Sequence, residues 1–297
     1  MKYWVQKYWV QNSRLITFLF VILSSFNAEA TKIFATAGGG GHFPENTMYA
    51  FEGSINGKVD GIEMDVQLTK DGVVVLYHSS DLSVHTNGKG AVKSFTYREL
   101  QRLDAAYYFD PQGNKSYPQR GLGHKIPTLD SILKKFPNTE AIIDFKSFPA
   151  KELVDATAKV VEDNKAWNRV IFHSIHHEHL KHLLDVYPTK AKIFEHRAKT
   201  LERLLRKRNE GICIAGDEKA QFVGFKSQIE MTVTTPSRID INDNKIKFKL
   251  WDKEAVKCLS RGTKIFIFGV NNQEDYESAK FMGVYAVSSS IPLSLKR

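Results

Sequence analysis

Short apolar, β-rich runs are separated along the chain by longer segments of helical length that mix apolar and polar positions. The short runs predict strands at Lys32 to Thr36, Gly61 to Val66, Val73 to Tyr77, Ala141 to Phe145, Val170 to Phe172, Ala191 to Phe194, Lys264 to Val270 and Tyr285 to Ser289, with Ile229 to Thr234 or Ile212 to Ala215 supplying one more. The longer segments predict helices at Thr47 to Ile55, Ala150 to Asp163, His176 to Tyr187, Lys199 to Asn209, Asp252 to Ser260 and Gln273 to Met282. Strand and helix alternating from end to end imply one parallel α/β domain. One junction differs. Leu68-Thr69-Lys70-Asp71-Gly72 is too short for a crossover and carries the turn dipeptide Asp-Gly, so Val73 to Tyr77 should return antiparallel as a β-hairpin insertion after the second strand. Without that arm eight strands remain, the number and spacing of a TIM (β/α)8 barrel. A doubly wound sheet shares the same periodicity and stays open at this point, because patterning does not report closure.

The first thirty residues follow another logic. Lys2, Lys7 and Arg14 precede the apolar run Leu15 to Leu23, and Ala28-Glu29-Ala30 follows as a small-residue cleavage pattern. The run is shorter than the roughly 20 residues a spanning helix needs. Residues 1–30 are therefore expected to be a signal peptide, 31–297 a single domain, and the mature protein secreted or periplasmic. An oxidising compartment would let Cys213 and Cys258 pair, and the sequence leaves both states open.

Composition narrows the function classes. With 42 Lys plus Arg against 33 Asp plus Glu, the chain carries a formal charge of +9, yet the basic residues are dispersed rather than gathered in a stripe interleaved with aromatics. That distribution suits solubility or peripheral contact with an anionic membrane and argues against nucleic acid as a partner. Two cysteines without a C-x-x-C leave no framework for structural zinc or dithiol chemistry.

In a parallel barrel the reactive groups gather at the C-terminal strand ends. Glu63 and Asp65 are two apart in Ile62-Glu63-Met64-Asp65-Val66 and share one side of their strand, with Ile62, Met64 and Val66 on the other. Asp144 and Lys146 form a second such pair, and His78 ends the apolar run Val73 to Tyr77. Carboxylates without cysteine suit a hard divalent cation, Ca²⁺ or Mg²⁺. A structural network with Lys146 accounts for the same spacing. The histidines from His173 to His182 miss the zincin pattern because Lys181 stands where the second ligand belongs, and they read, like the basic run Arg203 to Arg208, as a solvated helix face.

A longer string of motifs carries more information: Pro44-Glu45-Asn46-Thr47, Gly61 to Val73, His78, Thr86-Asn87-Gly88-Lys89-Gly90, Glu99-Leu100 with Leu103-Asp104, and Ile126-Pro127-Thr128-Leu129. Their order and spacing resemble the glycerophosphodiester phosphodiesterase family over roughly Ile33 to Lys146, and more weakly at Phe268-Gly269-Val270-Asn271, whereas Lys199 to Leu250 matches poorly. The resemblance implies a TIM barrel and a metal-dependent phosphoric diester hydrolase that releases glycerol phosphate and an alcohol. It implies Glu63, Asp65 and Asp144 as metal ligands, Lys146 as a substrate-binding residue facing phosphate, and His78 as the acid that protonates the leaving alkoxide. Asp144 in the third ligand position, with Phe136-Pro137-Asn138-Thr139 through Lys146, is similar to the lysophospholipase D-like subgroup, so the substrate is expected to be a glycerophosphodiester or a lysophospholipid.

The departures from the pattern matter as much. The family has His-Arg-Gly after its first strand, the His a second acid/base and the Arg a phosphate clamp; here Thr36 and Ala37 precede Gly38. Ser289 and Ser290 stand where Thr-Asp is expected. One general acid/base contributes roughly 10² to 10⁴ in rate, so impaired activity, or an inactive member that binds a glycerophosphodiester or headgroup, enters as an alternative beside a lysophospholipase D. His42, at the end of the glycine run Gly38 to Gly41, is a candidate replacement catalytic residue, provided that the glycines let it reach the site.

Overall fold

The computed structural model of the chain describes residues 30–233 and 244–297; the leader expected at residues 1–30 lies, apart from Ala30, outside the described residues. Ten strands are present among the described residues: β1 (Lys32–Ala35), β2 (Gly61–Leu68), β3 (Val74–Leu76), β4 (Glu140–Phe145), β5 (Val170–His173), β6 (Phe222–Lys226), β7 (Ile229–Val233), β8 (Asn244–Phe248), β9 (Lys264–Phe268) and β10 (Ala286–Ser289). Seven pair in parallel in the order β5-β4-β2-β1-β10-β9-β6. The remaining gap is closed by Ile193 and Phe194. The Phe194 N–H donates to Phe172 O at 3.0 Å, and the Glu195 N–H donates to Phe222 O at 2.7 Å, so this segment fills the strand position predicted at Ala191 to Phe194 and completes a TIM barrel. β3 runs antiparallel to β2 with Val66 opposite Leu76, and Gly72, at φ 79°, makes the tight turn that the Asp-Gly dipeptide predicts.

One predicted strand is displaced. The barrel's sixth strand is Phe222–Lys226, whereas Ile229–Val233 pairs with Asn244–Phe248 as a separate antiparallel ribbon and Ile212 to Ala215 forms no strand. Gly224 interrupts the apolar pattern of Phe222-Val223-Gly224-Phe225. It is required there because a Cβ would stand 2.3 Å from the Phe268 ring and 3.0 Å from that of Phe194. The barrel interior is filled by Phe34, Ile142, Ile171, Phe194, Phe222 and Phe266, with the Phe34 and Phe266 rings edge to face at 5.0 Å. Ile62, Met64 and Val66 face outward into the helix layer, as their alternation requires.

The helices follow the predicted spans within a residue or two, including Met48–Asn56, Ala150–Asp163, His177–Val186 and Arg197–Glu210. Thr47 caps the first by accepting from the Ala50 N–H. Two side chains expected on solvated faces are buried instead. His179 stacks on Phe145 at 5.3 Å, with its ring nitrogens 3.0 Å from Ser174 Oγ and 2.9 Å from Ser147 O. Arg203 lies within the core with its Nη1 3.0 Å from both oxygens of Glu195. A hydrophobic helix stripe can hold a polar group whose donors are satisfied, and patterning alone does not reveal the partner. Cys213 and Cys258 form a disulfide with Cα atoms 5.7 Å apart, tying the segment before β6 to the end of the helix Lys253–Leu259, at the barrel end opposite the C-terminal strand tips. Among the described residues no helix is long and apolar enough to cross a membrane.

Candidate active site

At the C-terminal ends of β2 and β4, Asp65 and Asp144 stand directly opposite one another in the parallel register, with Glu63 two residues earlier on the same inward face. All three are buried, and one carboxylate oxygen from each lies within 4.8 Å of the others. The strand alternation predicted this convergence; the register across β2 and β4 brings it about. Lys146 reaches back over the cluster, its Nζ 2.6 Å from Asp144 Oδ2 and 3.1 Å from Asp65 Oδ1. Asn46, at φ 54°, fixes Asp65 twice: its amide donates to Oδ2 at 2.7 Å, and its carbonyl accepts the Asp65 N–H at 3.1 Å.

The three carboxylates shape one another's charge. Burial and the neighbouring charge of Asp65 drive Glu63 well above its ordinary value, against the pull of Lys146 and the Ala37 N–H. Burial would also raise Asp144, but His173 and Lys146 outweigh it and hold the group below its ordinary value. Burial opposes the charge on Lys146, which Asp65, Asp144 and Glu63 nevertheless stabilise above the usual lysine range. Three carboxylates gathered around one ammonium could hold a cation, and their oxygen-only donors fit Ca²⁺ or Mg²⁺.

Beyond β1 the chain turns sharply through Thr36–Gly38, with Ala37 in the left-handed region at φ 49° and ψ 34°. The turn aims the Ala37 N–H at Glu63 Oε2, 2.7 Å away, and leaves Thr36 Oγ1 buried without a hydrogen-bond partner. The glycines that follow are clamped. A Cβ on Gly39 would meet Ser54 Oγ at 2.7 Å, and one on Gly41 would meet Ile291 Cγ2 at 2.6 Å. The Gly41 N–H also donates to Ser290 O at 2.8 Å. This packing sets His42 Nε2 3.2 Å from Ser294 Oγ, so the structure does not bring His42 to the carboxylates.

His78 lies half-exposed on the lip, Nδ1 3.6 Å from Glu45 Oε1; His85 Nε2 is 3.1 Å from the same oxygen. The hydrogen bond to Glu45 raises His78, against its partial burial. Glu45 in turn is lowered to about 2: burial pushes it up, and the two histidines outweigh that. Two further contributors were not singled out by sequence reasoning. Glu45 sits in a quoted motif without a role. His173, grouped with the histidine-rich stretch, follows Ile171 by two residues at the end of β5 and therefore points inward, its Nδ1 3.1 Å from Asp144 Oδ1. That spacing is the signal that could have found it. His124 stays outside the cluster, against Gln119 and Tyr49. Ser289 and Ser290 hold Asn271, Ser289 through its Oγ at 2.9 Å and Ser290 through its N–H at 3.0 Å.

The model of the glycerophosphoryl diester phosphodiesterase family matches residues 37–290. The chain belongs to that family. An uncharacterized protein of Mycobacterium tuberculosis is 30% identical over 263 residues, 86% of this chain and 85% of its own. The crystal structure of that protein's glycerophosphoryl diester phosphodiesterase domain superposes with a TM-score of 0.79 at 30% identity, covering 90% of this chain and 98% of that one. A glycerophosphodiester phosphodiesterase of Bacillus altitudinis is 38% identical over 154 residues, 50% of this chain and 59% of its own. A phosphodiesterase of Oleispira antarctica, solved with the product sn-glycerol-3-phosphate, shares the fold at a TM-score of 0.67 and 19% identity, with 90% of this chain and 95% of that one covered. Within the glycerophosphoryl diester phosphodiesterase family, then, this member has an acidic cluster with a lysine at the barrel mouth and Thr36 and Ala37 at the end of β1.

Proposed function

We propose that the chain hydrolyses a glycerophosphodiester to glycerol phosphate and an alcohol, using a divalent cation held by Glu63, Asp65 and Asp144. The observation that carries this reading is the convergence of those carboxylates under Lys146 at the C-terminal mouth of a barrel of this family. Such a cation, when bound, polarises a phosphoryl oxygen. Lys146, paired with Asp65 and Asp144, places N–H donors beside the carboxylates, where they face an arriving phosphate. A water molecule forms the new P–O bond and releases its proton to solvent as the P–O bond to the alcohol breaks; His78 donates its proton to the departing alkoxide, and Glu45 favours the protonated ring that this task needs. Asn46 and the Ala37 N–H hold Asp65 and Glu63 in place. The sn-glycerol-3-phosphate bound by the Oleispira antarctica relative supports a product of that class.

The basic and apolar leader with its Ala28-Glu29-Ala30 pattern supports export after cleavage at Ala30, tested by the mature N-terminus in mass spectrometry. The disulfide between Cys213 and Cys258 supports the same oxidising destination.

The function is tested by incubating the purified chain with glycerophosphocholine and Mg²⁺ or Ca²⁺ and following glycerol 3-phosphate. Release that stops with a chelator and in His78→Ala is expected. Thr36 and Ala37 favour one other reading, a member that binds the diester without turning it over, and saturable binding with no product would establish that instead. Choline release from lysophosphatidylcholine identifies the lysophospholipase D activity.

A further inference from the structure

The residues of β6 alternate between the two sides of the barrel wall. Val223 and Phe225 pack outward with Val256 and Leu259, while Phe222 and the open side of Gly224 face the interior rings of Phe194, Phe266 and Phe268. Lys226 continues the inward row at the C-terminal end of the strand, above the layer formed by Phe194 and Phe268, and Ser227 turns outward again to donate to Asp275 Oδ2 at 2.6 Å. Lys226 is therefore an exposed ammonium at the barrel mouth, and among the described residues no carboxylate pairs with it. Lys146, by contrast, is committed to Asp65 and Asp144.

Its place in the barrel is specific. From β2, the sheet order reaches β6 after the same number of steps in either direction, through β1, β10 and β9 or through β4, β5 and the Ile193–Phe194 segment. Lys226 thus faces Glu63 and Asp65 from the opposite wall. With a divalent cation present, three carboxylates and the Lys146 ammonium sum to a neutral floor. A phosphodiester monoanion placed above that floor meets no net positive charge from the floor itself, and the end of β1, with Thr36 and Ala37, brings no cationic side chain.

We propose that Lys226 is a phosphate-binding residue of this site, supplying from β6 the cation that Ala37 does not supply from β1. This deepens the hydrolase reading and rests on it. A long, unpaired lysine on the far wall can follow the phosphate as a point charge, without the planar fork of an arginine. Binding of phosphate monoesters and diesters at this mouth should accordingly weaken as ionic strength rises, because the ammonium is exposed.

The test is calorimetric titration of the Mg²⁺-loaded full chain with sn-glycerol 3-phosphate, beside the kinetics of glycerophosphocholine hydrolysis. Lys226→Met should weaken sn-glycerol 3-phosphate at least about tenfold, the worth of one charge-assisted contact, and flatten the salt dependence. Lys226→Arg should recover most of the affinity. KM should rise in Lys226→Met more than kcat falls. Lys219→Ala, an exposed lysine in the turn before β6, should match the wild type. Unchanged melting temperatures show that the variants fold. Wild-type affinity and salt slope in Lys226→Met, with the wild type active, would overturn the role of Lys226 alone. A wild type that neither binds sn-glycerol 3-phosphate nor cleaves the diester would overturn the role of Lys226 and the hydrolase reading together.

Discussion

The backbone N–H of Ala37 donates to Glu63 Oε2 at 2.7 Å. To do so, a non-glycine residue is held at φ 49°, a conformation that costs an L-residue roughly 1–2 kcal/mol. The turn after β1 therefore still orients a carboxylate of the cluster, although its side chains carry neither an imidazole nor a guanidinium.

If the turn lacks only those side chains, restoring them should restore rate. Thr36 continues the inward row begun by Phe34, and its hydroxyl is buried without a partner. Thr36→His with Ala37→Arg is expected to raise kcat/KM for glycerophosphocholine by about a hundredfold, the lower end of one acid/base contribution. His42→Ala should leave the wild-type rate unchanged, since its ring is held at Ser294. A large loss in His42→Ala would instead make His42 the proton acceptor and show that the glycine clamp opens.

Burial and Asp65 both oppose a negative charge on Glu63. Glu63→Gln removes that charge while the amide oxygen can still accept the Ala37 N–H. Without added cation the variant should melt at the wild-type temperature or above it. The rise in Tm produced by Mg²⁺ or Ca²⁺, which reports binding by mass action, should fall to less than half. A cation-induced rise equal to the wild type's would place the ion elsewhere.

Glu63, Asp65, Asp144 and Lys146 were legible in the sequence because strand alternation is local: two residues on one strand share a face wherever the strand lies. What was not legible depends on neighbours distant in the chain. The sixth barrel strand was missed because Gly224 looks like a strand breaker until the rings of Phe194 and Phe268 are seen to need its empty side. Arg203 and His179 read as surface because Glu195, Ser147 and Ser174, which satisfy them, come from other elements. The glycine run read as flexible for the same reason: Ser54 and Ile291, which confine it, arrive from a helix and from the C-terminal segment.

The disulfide between Cys213 and Cys258 closes a sequence separation of 45 residues, which on chain entropy corresponds to about 4 kcal/mol. It sits at the barrel end away from the carboxylates, so its loss should act on stability and not on chemistry. Cys213→Ser with Cys258→Ser is expected to lower the urea midpoint markedly while kcat/KM at 25 °C stays within about twofold. The same midpoint in oxidised and reduced wild type would show that the bond contributes nothing to the fold.

The lip of the site should set the alkaline limit of activity. Glu45 raises the pKa of His78 in the folded protein, so the stability contributed by the pair is fully present below the unfolded histidine value and is lost as pH rises through the folded one. On the carboxylate side, Glu45 is lowered to about 2, so its contribution is present above the ordinary carboxylate range and is lost as pH falls toward that value. If protonated His78 is the acid for the leaving group, kcat/KM should hold across the unperturbed histidine value near 6.5 and fall only at higher pH. Glu45→Gln takes away the charge that favours the imidazolium, so the alkaline limb should move to lower pH while the Mg²⁺-induced rise in Tm is kept. His78→Ala should abolish that limb along with most of the rate. An alkaline limb that stays in place in Glu45→Gln would assign it to a group other than His78, and the proton for the alkoxide would then have to come from elsewhere.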